Sequence, residues 1–154
     1  MSITIKSKSD LLKMREAGRI AARALEHAGK VIRPGMSTKQ LDKSIHDFIV
    51  SCGAEPTFLG YGGFPASACI SINDEVIHGI PSSKRIIREG DIVSVDVGAT
   101  YAGFVGDNAY TFAVGDISEE AADLLRVTEA SLYAAIEAAQ VGARIGDVSH
   151  TVEE

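Results

Sequence analysis

Two carboxylates stand where an apolar strand is expected. The run REGDIVSVDVGATYAGFVGDNAYTFAVG, residues 88–115, has the β-branched and small residues of a half-buried ribbon, yet it places Asp96 and Asp107 inside that pattern. A carboxylate in such a strand gives up hydration that some partner must replace. Gly90-Asp91 reads as a turn, and a bend around Thr100 to Gly103 makes the two β runs a hairpin. With Tyr101 and Ala102 at its centre, Asp96 falls directly across from Asp107 and both side chains share one face. Val93, Val95 and Val97 then form the core face, while Ser94, Asp96 and Gly98 line the polar one, where Gly98 and Ala109 leave space. Opposed carboxylates about 5 Å apart repel, and without a cation one of them takes up a proton. A divalent ion removes that cost. Hard oxygen donors suit Mn, Fe, Co, Zn or Mg, and one Asp can bridge two ions in a hydrolytic site. Two Asp are too few to complete such a site, and the plainer alternative is a pair of polar residues beside a turn.

His78 lies in EVIHGIP, after a run read as a strand and before a Gly-Ile-Pro turn. A lone histidine there is either an ordinary loop residue or a functional one, and spacing leaves both open. Upstream, FLGYGGFPASAC is rich in glycine and aromatic residues. It is not GxGxxG and no helix follows it, so an apolar pocket floor fits better than a nucleotide site. GxSxG, HExxH and a Cys/His dyad are absent from the sequence.

The elements that must position these residues can be read around them. A first helix is expected from about Asp10 to Val31 behind a Ser9 cap, with Leu11, Leu12, Ala17, Ile20, Ala21 and Leu25 on its apolar side. Pro34-Gly35 ends it. Ser37 and Gln40 then form a capping box for a second helix, whose stripe is Leu41, Ile45, Phe48, Ile49 and Cys52. SACISI and EVIHGI read as short strands around an Asn73-Asp74 turn. After Ser118, the acids Glu119 and Glu120 suit the start of a helix reaching about Gln140. The segment near residue 142 repeats the one near residue 35: a long helix, a glycine-containing break and a new amphipathic helix. This repeat, at an offset of about 107 residues, suggests a two-fold duplicated architecture.

Composition sets the outer bounds. The chain has 154 residues, 45% of them hydrophobic, enough for one sizeable core, and no linker composition divides it, so a single domain over residues 1–154 is expected. Fifteen Lys and Arg against twenty-one Asp and Glu leave a net charge of −6, which opposes nucleic-acid binding. Cys52 and Cys69 lack CxxC spacing, so neither a disulfide framework nor a structural zinc site is indicated. The opening MSITIKSKSD has no secretory apolar segment, and no run of about 18 apolar residues suggests a membrane span, so a cytoplasmic protein is expected.

Taken together, TFLGYGGFPASACISINDEVIHGIP (57–81) and the Asp96/Asp107 run resemble the type I methionine aminopeptidases, and the N-terminal helices are similar to that family's as well. The resemblance covers the whole chain. It implies an α/β (α+β) pita-bread fold, here the first half plus the opening helices of the second, around two divalent metal ions (Mn, Fe, Co or Zn), in an enzyme that removes the initiator methionine. It implies that Asp96 binds one metal and Asp107 bridges both. By the same resemblance His78 hydrogen-bonds the substrate near the scissile amide, while Tyr61, Phe64 and Cys69 line the methionine pocket with Phe58 nearby. The implied partner is the N-terminal Met of nascent polypeptides, with ribosome association as a further expectation, and the complete enzyme is expected to be a monomer. That family draws a further metal-binding His, a substrate-contacting His and two Glu from its second half, positions with no counterpart here. His150, Glu153 and Glu154 fall in a helix matching the second repeat and are not substitutes. The chain is therefore expected to be a truncated form, inactive alone. Two alternatives stand beside this: a non-catalytic pita-bread-like binding module or inert fragment, and a relative of prolidase or aminopeptidase P.

Overall fold

Side-chain caps decide where the first two helices begin. The computed structural model describes residues 4–153. Helix α1 (Lys8–Val31) starts at Ser7, whose hydroxyl accepts from the Asp10 N–H at 3.2 Å while the Asp10 carboxylate accepts from the Ser7 N–H at 3.0 Å. Ser9, the expected cap, lies inside the first turn. The reason is that Ser7, unlike Ser9, has an acid three residues on to close the reciprocal pair. Helix α2 (Thr38–Ser51) begins as its sequence indicates, with the Ser37 N–H donating to the Gln40 side chain at 2.9 Å.

The apolar faces differ from expectation at one end only. Leu11 and Leu12 are 53% and 66% exposed, because α1 meets the rest of the molecule one turn later, through Ala17, Ile20, Ala21, Ala24, Leu25 and Ala28. Alanine dominates that stripe where helix and sheet approach closely. Leu41, Ile45 and Ile49 of α2 are fully buried, with Phe48 and Cys52 packed at the margin as expected.

Four antiparallel strands form the sheet: β1 (Glu55–Pro56), β2 (Ala68–Ile72), β3 (Ile92–Tyr101) and β4 (Phe104–Ala113). β3 is central. β4 pairs along its full length, while β2 pairs with its first part, from Ile72↔Val93 to Ala68↔Val97, and β1 pairs with Ala99 and Thr100 near its end. Val93, Val95, Val97 and Ala99 of β3 and Ile70 of β2 are buried with the α1 and α2 stripes in one core. β4 meets α1 through Gly106, where an added Cβ would stand 2.3 Å from the Ala17 carbonyl, and through Asn108, whose Nδ2 donates to the Gly18 carbonyl at 3.2 Å.

EVIHGI is not a strand. Residues 73–91 form no strand along β2: beside one main-chain bond, from the Ile70 N–H to the Gly79 carbonyl, the side chains of Glu75 and Arg85 take backbone groups of β2 that a neighbouring strand would have used. Further along, the loop is held against the start of α2: Thr38 Oγ1 donates to the Ser82 carbonyl and accepts from the Ser82 N–H at 2.9 Å.

The backbone divides into two compact units, the first ending at Asp116 and the second starting at Ile117. The second holds α3 (Glu119–Ala138), capped by Ser118, and α4 (Ile145–Glu153). Its break repeats the first unit's chemistry: the Arg144 N–H donates to Asp147 at 2.7 Å, as Ser37 does to Gln40, and 144 − 37 and 147 − 40 both equal the 107-residue offset. Leu124, Val127, Leu132 and Ile136 of α3 are each more than half exposed.

At Gly106 the backbones of α1 and β4 lie too close for a Cβ between them. Gly106→Ala should lower the unfolding free energy by about 2 kcal/mol or more, as overpacking does. Gly18→Ala, where an added Cβ meets nothing within 4 Å, should be neutral or stabilise by about 0.5–1 kcal/mol. Urea denaturation of both variants beside the parent checks the pair.

Candidate metal centre

The turn joining β3 to β4 fixes which residues face one another. It consists of Ala102 and Gly103, with φ of +50° and +80°. Positive φ at both central positions is the type I′ geometry whose twist suits a two-residue hairpin. Glycine adopts it freely, whereas a Tyr101-Ala102 turn would force the bulky tyrosine into that region. The register is consequently Tyr101↔Phe104, Gly98↔Asp107 and Asp96↔Ala109. Asp96 is thus not directly opposite Asp107, as expected, but its diagonal neighbour. The shift is an even number of residues, so both carboxylates keep to one face, away from the valines. Diagonal neighbours lie about 7–8 Å apart at the backbone, within reach of side chains that lean together.

The same face forms the floor of a cleft of about 630 Å³. Asp96, Asp107 and His78 border it together with Phe58, Tyr61, Phe64 and Cys69, so the structure brings every nominated residue to one place. Gly98 makes room for the wall: a Cβ there would lie 2.6 Å from the Phe58 ring, which rests against β3 at this point. Cys69 is buried and pairs with Asp96 across β2 and β3. Tyr61 stands in the Tyr61–Gly63 3₁₀ turn and is 78% exposed at the rim. His78 is exposed, with a φ of +58°.

Sequence reasoning missed the residues that hold these elements. Asp42 is buried in α2, and its Oδ1 accepts from the Ser67 and Ala68 N–H groups at 2.8 and 3.1 Å, fixing the point at which β2 begins. Its signal was a charge on the apolar side of a helix, in line with Ile45 and Ile49. Glu75 and Arg85 gave no such signal, since both occupy a segment that reads as strand and loop. Pro65 and Ile80 also border the cleft.

Electrostatics mark the floor as a place that lacks positive charge. The Asp96 carboxyl is pushed above its ordinary value, first by burial and then by the charge of Asp107; His78 opposes this, and a hydrogen bond with Asp107 adds to it. The Cys69 thiol is pushed up to about 11 by burial and then by both carboxylates, so it is neutral at physiological pH and serves as an apolar wall. Two hard, mutually repelling oxygen donors suit a divalent cation in kind. Among the described residues no group of three or more His, Cys, Asp or Glu side chains is placed to share an ion. His150 and Glu153 lie in α4, and Glu154 falls outside the described residues.

Comparison with known proteins adds a second line of observation. The sequence matches Metallopeptidase family M24 over residues 12–154. It is 51% identical over 152 residues to a methionine aminopeptidase of Clostridium acetobutylicum, covering 99% of this chain and 61% of that protein. It is 47% identical to methionine aminopeptidase 1 of Bacillus subtilis, covering 98% of this chain and 60% of that protein. In three dimensions the chain is similar to the methionine aminopeptidase of Thermotoga maritima, with a TM-score of 0.94 at 43% identity, over 97% of this chain and 60% of that one. The prolidase of Pyrococcus furiosus shares the fold, with a TM-score of 0.85 at 23% identity over 96% of this chain and 42% of that one. The chain thus spans about three-fifths of the length of the methionine aminopeptidases it matches. None of the helices among the described residues is long and apolar enough to cross a membrane.

The raised Asp96 pKa has a definite linkage sign. The folded, metal-free protein holds this proton more tightly than the unfolded chain, so stability falls as pH rises from the ordinary value of 3.8 through the raised one and the penalty is complete above it. In the presence of a chelator, Asp96→Asn should therefore be more stable than the parent at neutral pH, and the gap should close as the pH falls towards 4. Denaturant titrations across that range test this, and a gap independent of pH would contradict the charge conflict.

Proposed function

The chain belongs to Metallopeptidase family M24, and on that footing we propose that it forms the portion of a methionine aminopeptidase that carries two metal-binding carboxylates and the pocket for an N-terminal methionine. The observation that carries this reading is the position of Asp96 and Asp107 on one strand face, at the floor of a cleft walled by Phe58, Tyr61, Phe64 and Cys69. Divalent metal, when bound, supplies Lewis-acid polarisation and an activated water for amide hydrolysis. Asp96 and Asp107 would hold two such ions, of Mn, Fe, Co or Zn, with Asp107 serving both.

The remaining roles belong to the chain itself. A cleft with aromatic walls and a neutral thiol suits an unbranched thioether, which makes favourable contacts with ring edges and adapts to an irregular cavity. His78, at the mouth of the cleft, donates a hydrogen bond to the substrate near the scissile amide and favours the charge that develops there. The substrate is the N-terminal Met of nascent polypeptides, met in the cytoplasm at or near the ribosome, and the complete enzyme acts as a monomer. Two carboxylates hold metal weakly. The 154-residue chain alone therefore does not turn over.

A chimera in which this chain is continued by the C-terminal two-fifths of the Clostridium acetobutylicum relative should release methionine from Met-Ala-Ser with added Mn, and should leave an Xaa-Pro peptide intact. Asp107→Asn in that chimera should lower kcat by about 10²-fold or more, since even outer partners of metal ligands are worth 10–100-fold. The isolated chain should release none. A folded, metal-loaded chimera without activity, or one that prefers Xaa-Pro, would overturn the assignment.

A further inference from the structure

His78 stands in a left-handed backbone conformation, with a φ of +58°, that crowds the Cβ of a non-glycine residue against its own backbone. Ala102 shares that conformation, but there a two-residue hairpin imposes it; no hairpin does so at His78. The outer edge of β2 supplies the constraint instead. The Ile70 N–H donates to the Gly79 carbonyl at 2.9 Å, and the Ile70 carbonyl accepts from Arg85 Nη1 at 3.2 Å. The Ile72 N–H donates to Glu75 Oε2 at 3.2 Å. Arg85 Nη1 also donates to the Ile80 carbonyl at 3.2 Å, and its Nη2 pairs with the Glu75 carboxylate. Ser71 Oγ accepts from the Gly79 N–H at 3.1 Å. Both residues that follow His78 are thereby tied down, and Gly79 sits so close to β2 that an added Cβ would lie 2.2 Å from the Ile70 carbonyl oxygen.

We infer that Glu75 and Arg85 are positioning residues for His78: their ion pair stands in for a neighbouring strand along β2 and holds the imidazole at the mouth of the cleft. This rests on the reading above, in which His78 contacts substrate. One guanidinium serves two carbonyls and a carboxylate, joining β2 to both sides of His78. A lysine ammonium is a point charge on a flexible stem and cannot hold that fork geometry. The half-buried pair, 28% and 37% exposed, escapes much of the screening that empties surface ion pairs of effect.

The test uses the isotope-labelled, metal-free protein. Three-bond couplings report φ at His78, and amide exchange reports protection at Ile70 and Gly79, with Val95 in the central strand as reference. Arg85→Gln, Arg85→Lys and Glu75→Gln should each shift His78 to negative φ and speed exchange at Ile70 and Gly79 by about tenfold or more, the loss of roughly one hydrogen bond, with Val95 unchanged. Retention of positive φ and of protection in the variants would overturn the inference. So would a parallel loss of protection at Val95, which would make the pair a general stability element. Should the arginine variants fail to fold, Glu75→Gln, which keeps the shape of the network and removes one charge, decides the matter. None of these readings depends on whether His78 touches substrate. That role is read from His78→Ala in the chimera, where unchanged kcat would sink the substrate contact and leave the positioning intact.

Discussion

Everything at this site depends on the two-sidedness of one strand. β3 turns Val93, Val95 and Val97 into the core and, by the period of two, sends Ser94, Asp96 and Gly98 to the other side. Burial of the valines pins the strand, because a one-residue slip would exchange the two sets wholesale and drive the Asp96 carboxylate among α1 and α2. The core therefore sets the direction of the acid. The acid, in turn, is left facing Asp107 in a partly desolvated cleft, at a cost the metal-free protein carries.

Close approach is the second theme. At Gly106 the backbone of α1 comes against β4, at Gly98 the ring of Phe58 lies against β3, and at Gly79 the His78 segment lies against β2. At each of these a methyl group would collide with the neighbour. Helix, wall and loop are thus brought to the sheet at distances that other residues would not allow.

The two units share a local grammar but differ in what covers it. The first unit buries its helical stripes against the sheet, while the equivalent helices of the second expose Leu124, Val127 and Leu132. The 107-residue offset and the matched backbone bonds at the two breaks fit the duplicated architecture suggested by the sequence. They also fit the relation to metallopeptidases of greater length.

By itself the sequence determined the elements whose signals are local. The capping box at Ser37, the stripe through Leu41, Ile45 and Ile49, the helix after Ser118 and the valine face all follow from periodicity and side-chain chemistry, and the nominated site residues do converge on one cleft. What the tertiary structure decided was every matter of choice between local options. It chose Ser7 over Ser9, because the reciprocal acid lies at Asp10. It left Leu11 and Leu12 more than half exposed, because the buried stripe of α1 begins one turn later, at Ala17. It moved the hairpin register by two, because glycine rather than tyrosine accepts a positive φ. It denied EVIHGI a strand, because Glu75, three residues beyond β2, and the more distant Arg85 reach its edge with side chains. The cap and the turn were settled by chemistry within a few residues, whereas the exposure of Leu11 and Leu12 and the loss of the strand depend also on what segments further along the chain bring to them, and no spacing rule within a single segment carries that information.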